Sequence, residues 1–208
     1  MILRASLVKS KSINNLVEKH TESLEKFWGI KLKKEPILTL LNSRKEIDSI
    51  RKSKTDRKLV GWFWQERNIF ILDPSKFKRE SVFSKKDFER ILLHEISHLF
   101  FYQIAKSSCP AWLNEGLACY LAGQTSEKEK YTIDDISQLI GCYYEFDRNI
   151  FNVSYALVEK LINYKGKKKF IELIESIAGN TNEKHFKSIF KKIYKLELNK
   201  DSLYKLLN

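Results

Sequence analysis

ILLHEISHLF, residues 91–100, places two histidines four positions apart with a glutamate directly after the first. The other residues are mostly apolar: Ile91, Leu92, Leu93, Ile96, Leu99 and Phe100. An apolar run of this kind reads as a buried helix. Positions i and i+4 share one helix face, one turn apart, so His94 and His98 project together. Glu95 is turned about 100° away from His94. A buried helix accounts for the leucines and isoleucines. It does not account for two imidazoles and a carboxylate among them, because buried polar groups need partners. Two imidazoles at this spacing can hold one zinc ion at about 2.0–2.1 Å each. The glutamate then reaches a water near the ion without becoming a ligand, which is the logic of the HExxH pattern. In a chain with 4 histidines among 208 residues, chance alone predicts about 0.007 such patterns.

A zinc site needs a third protein ligand, and for catalysis an open fourth position. The two remaining histidines are His20 and His185. An extended HExxHxxGxxH site needs glycine at position 101 and histidine at position 104, where the chain carries Phe101 and Ile104. A carboxylate downstream remains. The first acidic residue after His98 is Glu115, within CPAWLNEGLACYLAG (109–123). That segment reads as a second apolar helix, with Pro110 in its first turn. A glutamate between Trp112, Leu113, Leu117 and Ala118 is poorly placed for a solvated face, and a zinc ion is one partner that would suit it. Geometry adds a condition. If the first helix ran to Ser108, it would carry the chain about 15 Å past His98. It is therefore expected to stop near 104–106, with a loop through Pro110 turning the chain back.

HEISH followed by WLNEG resembles the gluzincin metallopeptidases, and WLNEG is similar to the motif of the aminopeptidase N-like family. The spacing departs from that family, since the 16 residues between His98 and Glu115 are two fewer than usual. The chain is also too short for those multidomain enzymes. It better resembles the compact bacterial peptidase-MA-like proteins, over roughly residues 60–195. The resemblance implies an α+β, zincin-like fold: a small N-terminal mixed sheet with helices, a mostly helical second half, and the active-site helix between them. It implies one catalytic Zn2+ held by His94, His98 and Glu115, a peptide or protein substrate, and Glu95 as the general base of amide hydrolysis. Related enzymes often stabilise the oxyanion with a tyrosine or histidine. Tyr155 is the candidate here, with Tyr143 and Tyr144 as rivals. In similar enzymes an edge strand before the metal helix pairs with extended substrate, and NIFILD (68–73) stands at that place in the sequence. Thermolysin-like relatives carry an acidic residue four positions after the ligand glutamate; this chain has Cys119, which cannot support a zinc-bound histidine in the same way. No GxMEN-like exopeptidase motif lies upstream, which points to an endopeptidase.

The rest of the chain organises around these motifs. Helical periodicity predicts a helix over 12–30, closed by Gly29. A strand follows at 35–43, a short helix at 44–52, and a hairpin over 58–75 turning at QERN and ending at Asp73-Pro74. Further helices are expected at about 85–104, 111–123, 133–140, 152–164, 167–178, 182–194 and 199–207. KGKKK (165–169) reads as an interhelical turn. The expected division is an α+β subdomain over 1–84 and a helical subdomain over 85–208, together one compact catalytic unit.

Lysine and arginine number 38 against 26 acidic residues, a net charge of +12. From Lys160 to Asn208 there are 12 lysines against 5 acidic residues, a balance of +7. This could mark a surface for nucleic acid or an acidic partner. The excess is lysine rather than arginine, interleaved with apolar residues at helical spacing, which also describes ordinary solvated helix faces in a chain of AT-rich coding composition. Cys109, Cys119 and Cys142 are an odd number without framework spacing, which favours a reducing compartment. No stretch has the continuous apolar core of a signal peptide or a membrane span, so a cytoplasmic location is expected. Beside the metallopeptidase stand a catalytically silent zinc-binding scaffold and a basic, nucleic-acid-associated protein that uses the fold for binding. Oligomeric state is not legible.

Overall fold

The computed structural model describes residues 11–124 and 130–208. The protein is α+β and mostly helical, with nine α-helices and a three-stranded mixed sheet among the described residues. It divides into two compact units, Met1–Leu99 and Phe100–Asn208, and the division falls inside one long helix.

In the first unit, α1 (Lys11–Trp28) ends where Gly29 takes a left-handed φ of 71°. The strand β1 (Ile37–Leu41) leads into α2 (Arg44–Arg51), whose N-cap Ser43 accepts from the Glu46 N–H at 3.3 Å. The hairpin follows as β2 (Gly61–Trp64) and β3 (Asn68–Leu72), with Gln65 at a positive φ of 58° in its turn. Asp73 ends β3 and caps a short 3-10 turn over Pro74–Lys76, accepting from the Ser75 N–H at 2.7 Å. A four-residue helix, α3 (Phe77–Glu80), and a second 3-10 turn lead into α4 (Phe88–Ala105). Sequence periodicity did not resolve α3, which is too short to show a period. Arg44 fastens the irregular run before β2. Its guanidinium donates to the carbonyls of Leu59 at 2.6 Å and Glu80 at 2.9 Å, so one side chain closes backbone acceptors from two segments.

The strand order is β1-β3-β2, with β1 parallel and β2 antiparallel to β3. This overturns the expectation that NIFILD (68–73) is a substrate-flanking edge strand. The strand β3 is central, and its residues Ile69, Ile71 and Leu72 are fully buried. Ile69 and Ile71 share one fully buried face, while Phe70 on the opposite face is half-buried. Among the described residues one edge of the sheet is β2, whose pattern of glycine and partly exposed aromatics suits a strand with a neighbour on one side only.

In the second unit, the last turn of α4 stops at Ala105, within the range that the loop geometry required. Lys106 adopts a left-handed φ of 55°, and the Gly179 N–H donates to the Ala105 carbonyl at 2.6 Å, so the helix end is satisfied. After Pro110, α5 (Ala111–Leu121) begins; α6 (Ile133–Gly141), α7 (Phe151–Glu175), α8 (Glu183–Tyr194) and α9 (Lys200–Leu207) follow. The central helix is α7, which packs against α5, α6, α8 and α9. Leu157, Val158, Leu161, Phe170, Leu173, Phe186 and Phe190 are buried in this unit. The interhelical turn expected at KGKKK is present and is confined to one residue. A single break at Gly166 (φ 81°, ψ 158°) interrupts α7, and the lysines after it are helical. Only glycine adopts that φ without strain, so one residue suffices for the turn.

Among the described residues, no helix is long and apolar enough to cross a membrane.

Candidate metal centre

Helix α4 is apolar around most of its girth, and Leu92, Ile96, Leu99 and Phe100 are fully buried. Within that surface His94 is 7% exposed, Glu95 6% and His98 2%. Ser97 is also buried; its hydroxyl donates to the His94 carbonyl at 2.7 Å, so it is satisfied within its own helix. The rings of His94 and His98 lie 4.8 Å apart at 85°, as two imidazoles on successive turns of one face should.

The edge strand β2 lies against this part of α4. Phe63 stacks on His98, with centroids 5.1 Å apart and an angle of 28°. Gly61 faces Glu95 so closely that a Cβ there would sit 3.1 Å from Oε1, 3.2 Å from Cγ and 3.3 Å from Cδ. Neither residue was singled out from sequence. The signal for Gly61 was present, because glycine inside an aromatic strand marks a close backbone approach.

Glu115 sits on α5 and is half-buried, while its helix neighbours Trp112, Leu113, Asn114, Gly116 and Leu117 are buried. Its helix is set by close packing on α7. A Cβ on Gly116 would lie 2.4 Å from the Ser154 carbonyl oxygen, so two backbones meet where only glycine fits. The ligand atoms of His94, His98 and Glu115 all lie within 4.8 Å of one another. Two imidazoles and a carboxylate are a donor set suited to zinc. Tetrahedral coordination at about 2.0–2.1 Å places donors about 3.4 Å apart. With no pair farther apart than 4.8 Å, closing to that spacing needs at most about 1.4 Å of inward movement, within reach of side-chain rotation. The residues present fit the ion.

The tyrosine candidates are placed as follows. Tyr155 is half-buried on α7; its hydroxyl donates to Glu159 Oε1 at 2.8 Å, and its ring lies 6.2 Å from that of Tyr120. Burial, reinforced by that hydrogen bond, pushes its pKa up to about 12. Tyr143 is 2% exposed and packs on Phe186, and burial likewise drives its pKa upward. Tyr144 is 60% exposed. Cys119 is a fully buried free thiol. Of the other histidines, His20 is buried in α1 with Nε2 3.8 Å from Glu89, and His185 is exposed on α8. Part of the lysine excess of the tail is engaged in helix-surface ion pairs, Lys169 with Glu172 at 2.6 Å and Lys187 with Glu183 at 2.7 Å.

No family model, curated protein or solved structure matches this chain.

Proposed function

We propose that the protein is a zinc metallopeptidase of gluzincin type, with a zincin-like arrangement of its α+β fold. The observation that carries this reading is the convergence of His94, His98 and Glu115 within 4.8 Å, with Glu95 beside them on α4. Zinc bound there supplies Lewis-acid polarisation of a carbonyl and a lowered pKa for water. His94 and His98 hold their rings on one face of a buried helix, and Phe63 fixes the plane of His98. Glu95 takes a proton from the attacking water and delivers it to the leaving amine nitrogen as the C–N bond breaks. Close packing by Gly61 limits where its carboxylate can go.

The substrate path also follows from β2. The Leu72 N–H donates to the Val60 carbonyl at 2.7 Å. Antiparallel alternation then turns the main-chain groups of Trp62 and Trp64 toward β3, and those of Gly61 and Phe63 away from it. An extended peptide added along β2 meets its main chain at Gly61 and Phe63, the residues whose side-chain positions face Glu95 and His98. Tyr155, on the helix that packs against α5, is the candidate oxyanion donor, and in the structure its hydroxyl is committed to Glu159. A fall in kcat in Tyr155→Phe tests that role, and an unchanged kcat assigns it to another group.

The deciding experiment pairs metal analysis with peptide-library cleavage for wild type and Glu95→Gln. The expected outcome is one zinc per chain in both and hydrolysis in the wild type alone. Zinc without hydrolysis in either would make the protein a silent scaffold. No zinc in either would defeat the reading.

A further inference from the structure

The face of the sheet opposite α4 carries aromatic residues that the hydrolytic site does not use. Along β2, Gly61 and Phe63 face Glu95 and His98, so Trp62 and Trp64 point the other way. Trp62 pairs across to Phe70, and their rings stack at 5.2 Å and 14°. Trp64 lies 6.2 Å from the same Phe70 ring. The two tryptophans differ in openness. Trp62 has Phe70 as one neighbour and the Arg51 guanidinium, 5.6 Å from its centroid, as another. Trp64 is 56% exposed. Trp64, Phe70 and Trp62 adjoin as one aromatic patch beside a sheet edge, and a contiguous exposed apolar patch, unlike a lone exposed ring, marks a binding surface.

We propose that Trp64 and Phe70, flanked by Trp62, form a subsite that selects a large apolar or aromatic side chain on the bound peptide strand. This rests on the metallopeptidase reading and on the path along β2. A strand laid beside β2 must alternate its own side chains in step with it. One set faces the side of Glu95 and His98, and every second residue falls on the tryptophan face. Directly opposed and diagonal side chains of adjacent strands come within about 5–8 Å, which an aromatic ring spans. The residue beside Trp64 therefore meets an open indole with Phe70 behind it. A lysine or arginine would gain less there, because Arg51 already brings a cation to this face.

The test uses the full chain with zinc restored, and position-resolved cleavage of a peptide library by wild type, Trp64→Phe and Trp64→Ala. The wild type should prefer Phe, Tyr, Trp or Leu over Ala at one position by about 2- to 5-fold in kcat/KM, the range of a single cross-strand aromatic contact. The ratio should fall toward one in Trp64→Ala and stay intermediate in Trp64→Phe. In parallel, fluorescence anisotropy measures the Kd of two labelled peptides, with Phe or Ala at that position, on Glu95→Gln and on Glu95→Gln combined with Trp64→Ala. Because Trp64 is exposed, equal melting temperatures will show that the variants fold. Cleavage whose preferences ignore Trp64 overturns the subsite and leaves the peptidase standing. Trp64-dependent peptide binding without cleavage by any form overturns the peptidase and leaves the subsite standing. Absence of both, or Trp64-dependent binding of a labelled oligothymidylate in place of peptide, overturns the subsite proposal.

Discussion

Gly61→Ala probes how tightly Glu95, the proposed general base, is held. The new Cβ would lie 3.2 Å from Glu95 Cγ and 3.1 Å from Oε1. Carbon–carbon contacts settle at about 3.5–4.0 Å, so the side chain must retreat by at least about 0.3 Å. Overpacking of this kind costs about 1–3 kcal/mol. Replacing a strand glycine returns about 0.5–1 kcal/mol. The expected net loss of stability is therefore about 0–2.5 kcal/mol, read from urea midpoints. The catalytic effect should be clearer. A displacement of 1 Å costs about 100-fold in rate, so 0.3 Å corresponds to about 4-fold, and rotation of the carboxylate extends this toward about 10-fold. Zinc content should not change, because the substitution does not touch His94 or His98. Gly61→Val should be worse than alanine despite valine's preference for strands. Full kcat in Gly61→Ala at unchanged stability would refute the argument that this approach positions Glu95. Loss of zinc alongside activity would show that β2 supports the ligands rather than the base.

Three further outcomes are expected. Glu115→Ala should weaken zinc binding by more than about 100-fold, since loss of even an outer-shell partner costs 10–100-fold; titration against a chromophoric chelator measures it, and unchanged affinity would remove Glu115 from the site. Gly116→Ala places Cβ 2.4 Å from a backbone oxygen of α7, which cannot yield as a side chain can, so the loss should exceed about 3 kcal/mol in urea; a loss below about 1 kcal/mol would contradict the close helix packing. Burial holds His20 below its ordinary value of 6.5, against the opposing pull of Glu89. The unfolded chain then takes up the proton first, so stability present above that pH is lost as pH falls through it toward the folded value. Urea midpoints of the metal-free protein at about pH 7.5 and 5.5 should fall less in His20→Leu than in wild type, and equal slopes would refute the assignment.

Most helices were legible because an apolar stripe with a cap leaves a local signature. Ser43, Asn182 and Asn199 each accept from a backbone N–H at the start of the next helix. The stop of α4 near Ala105 was legible for a different reason: a chain that must bring Glu115 back cannot keep rising along one axis. What failed were judgements about neighbours. The segment NIFIL has the same residues whether it lies at an edge or in the centre, and only the parallel partner β1 made it central. The break between the helices expected over 152–164 and 167–178 was legible, and the structure narrows it to Gly166.

By itself, the sequence determined the chemistry on offer: two imidazoles and a carboxylate on one helix, and a further carboxylate set in an apolar segment. Those facts depend on the order of residues along a helix of known period. Tertiary structure decided which strand lies beside them. It put Gly61 against Glu95 and Phe63 against His98, and turned Trp62 and Trp64 to the opposite face. Strand order is set by which surfaces bury one another across the chain, and no local period encodes that.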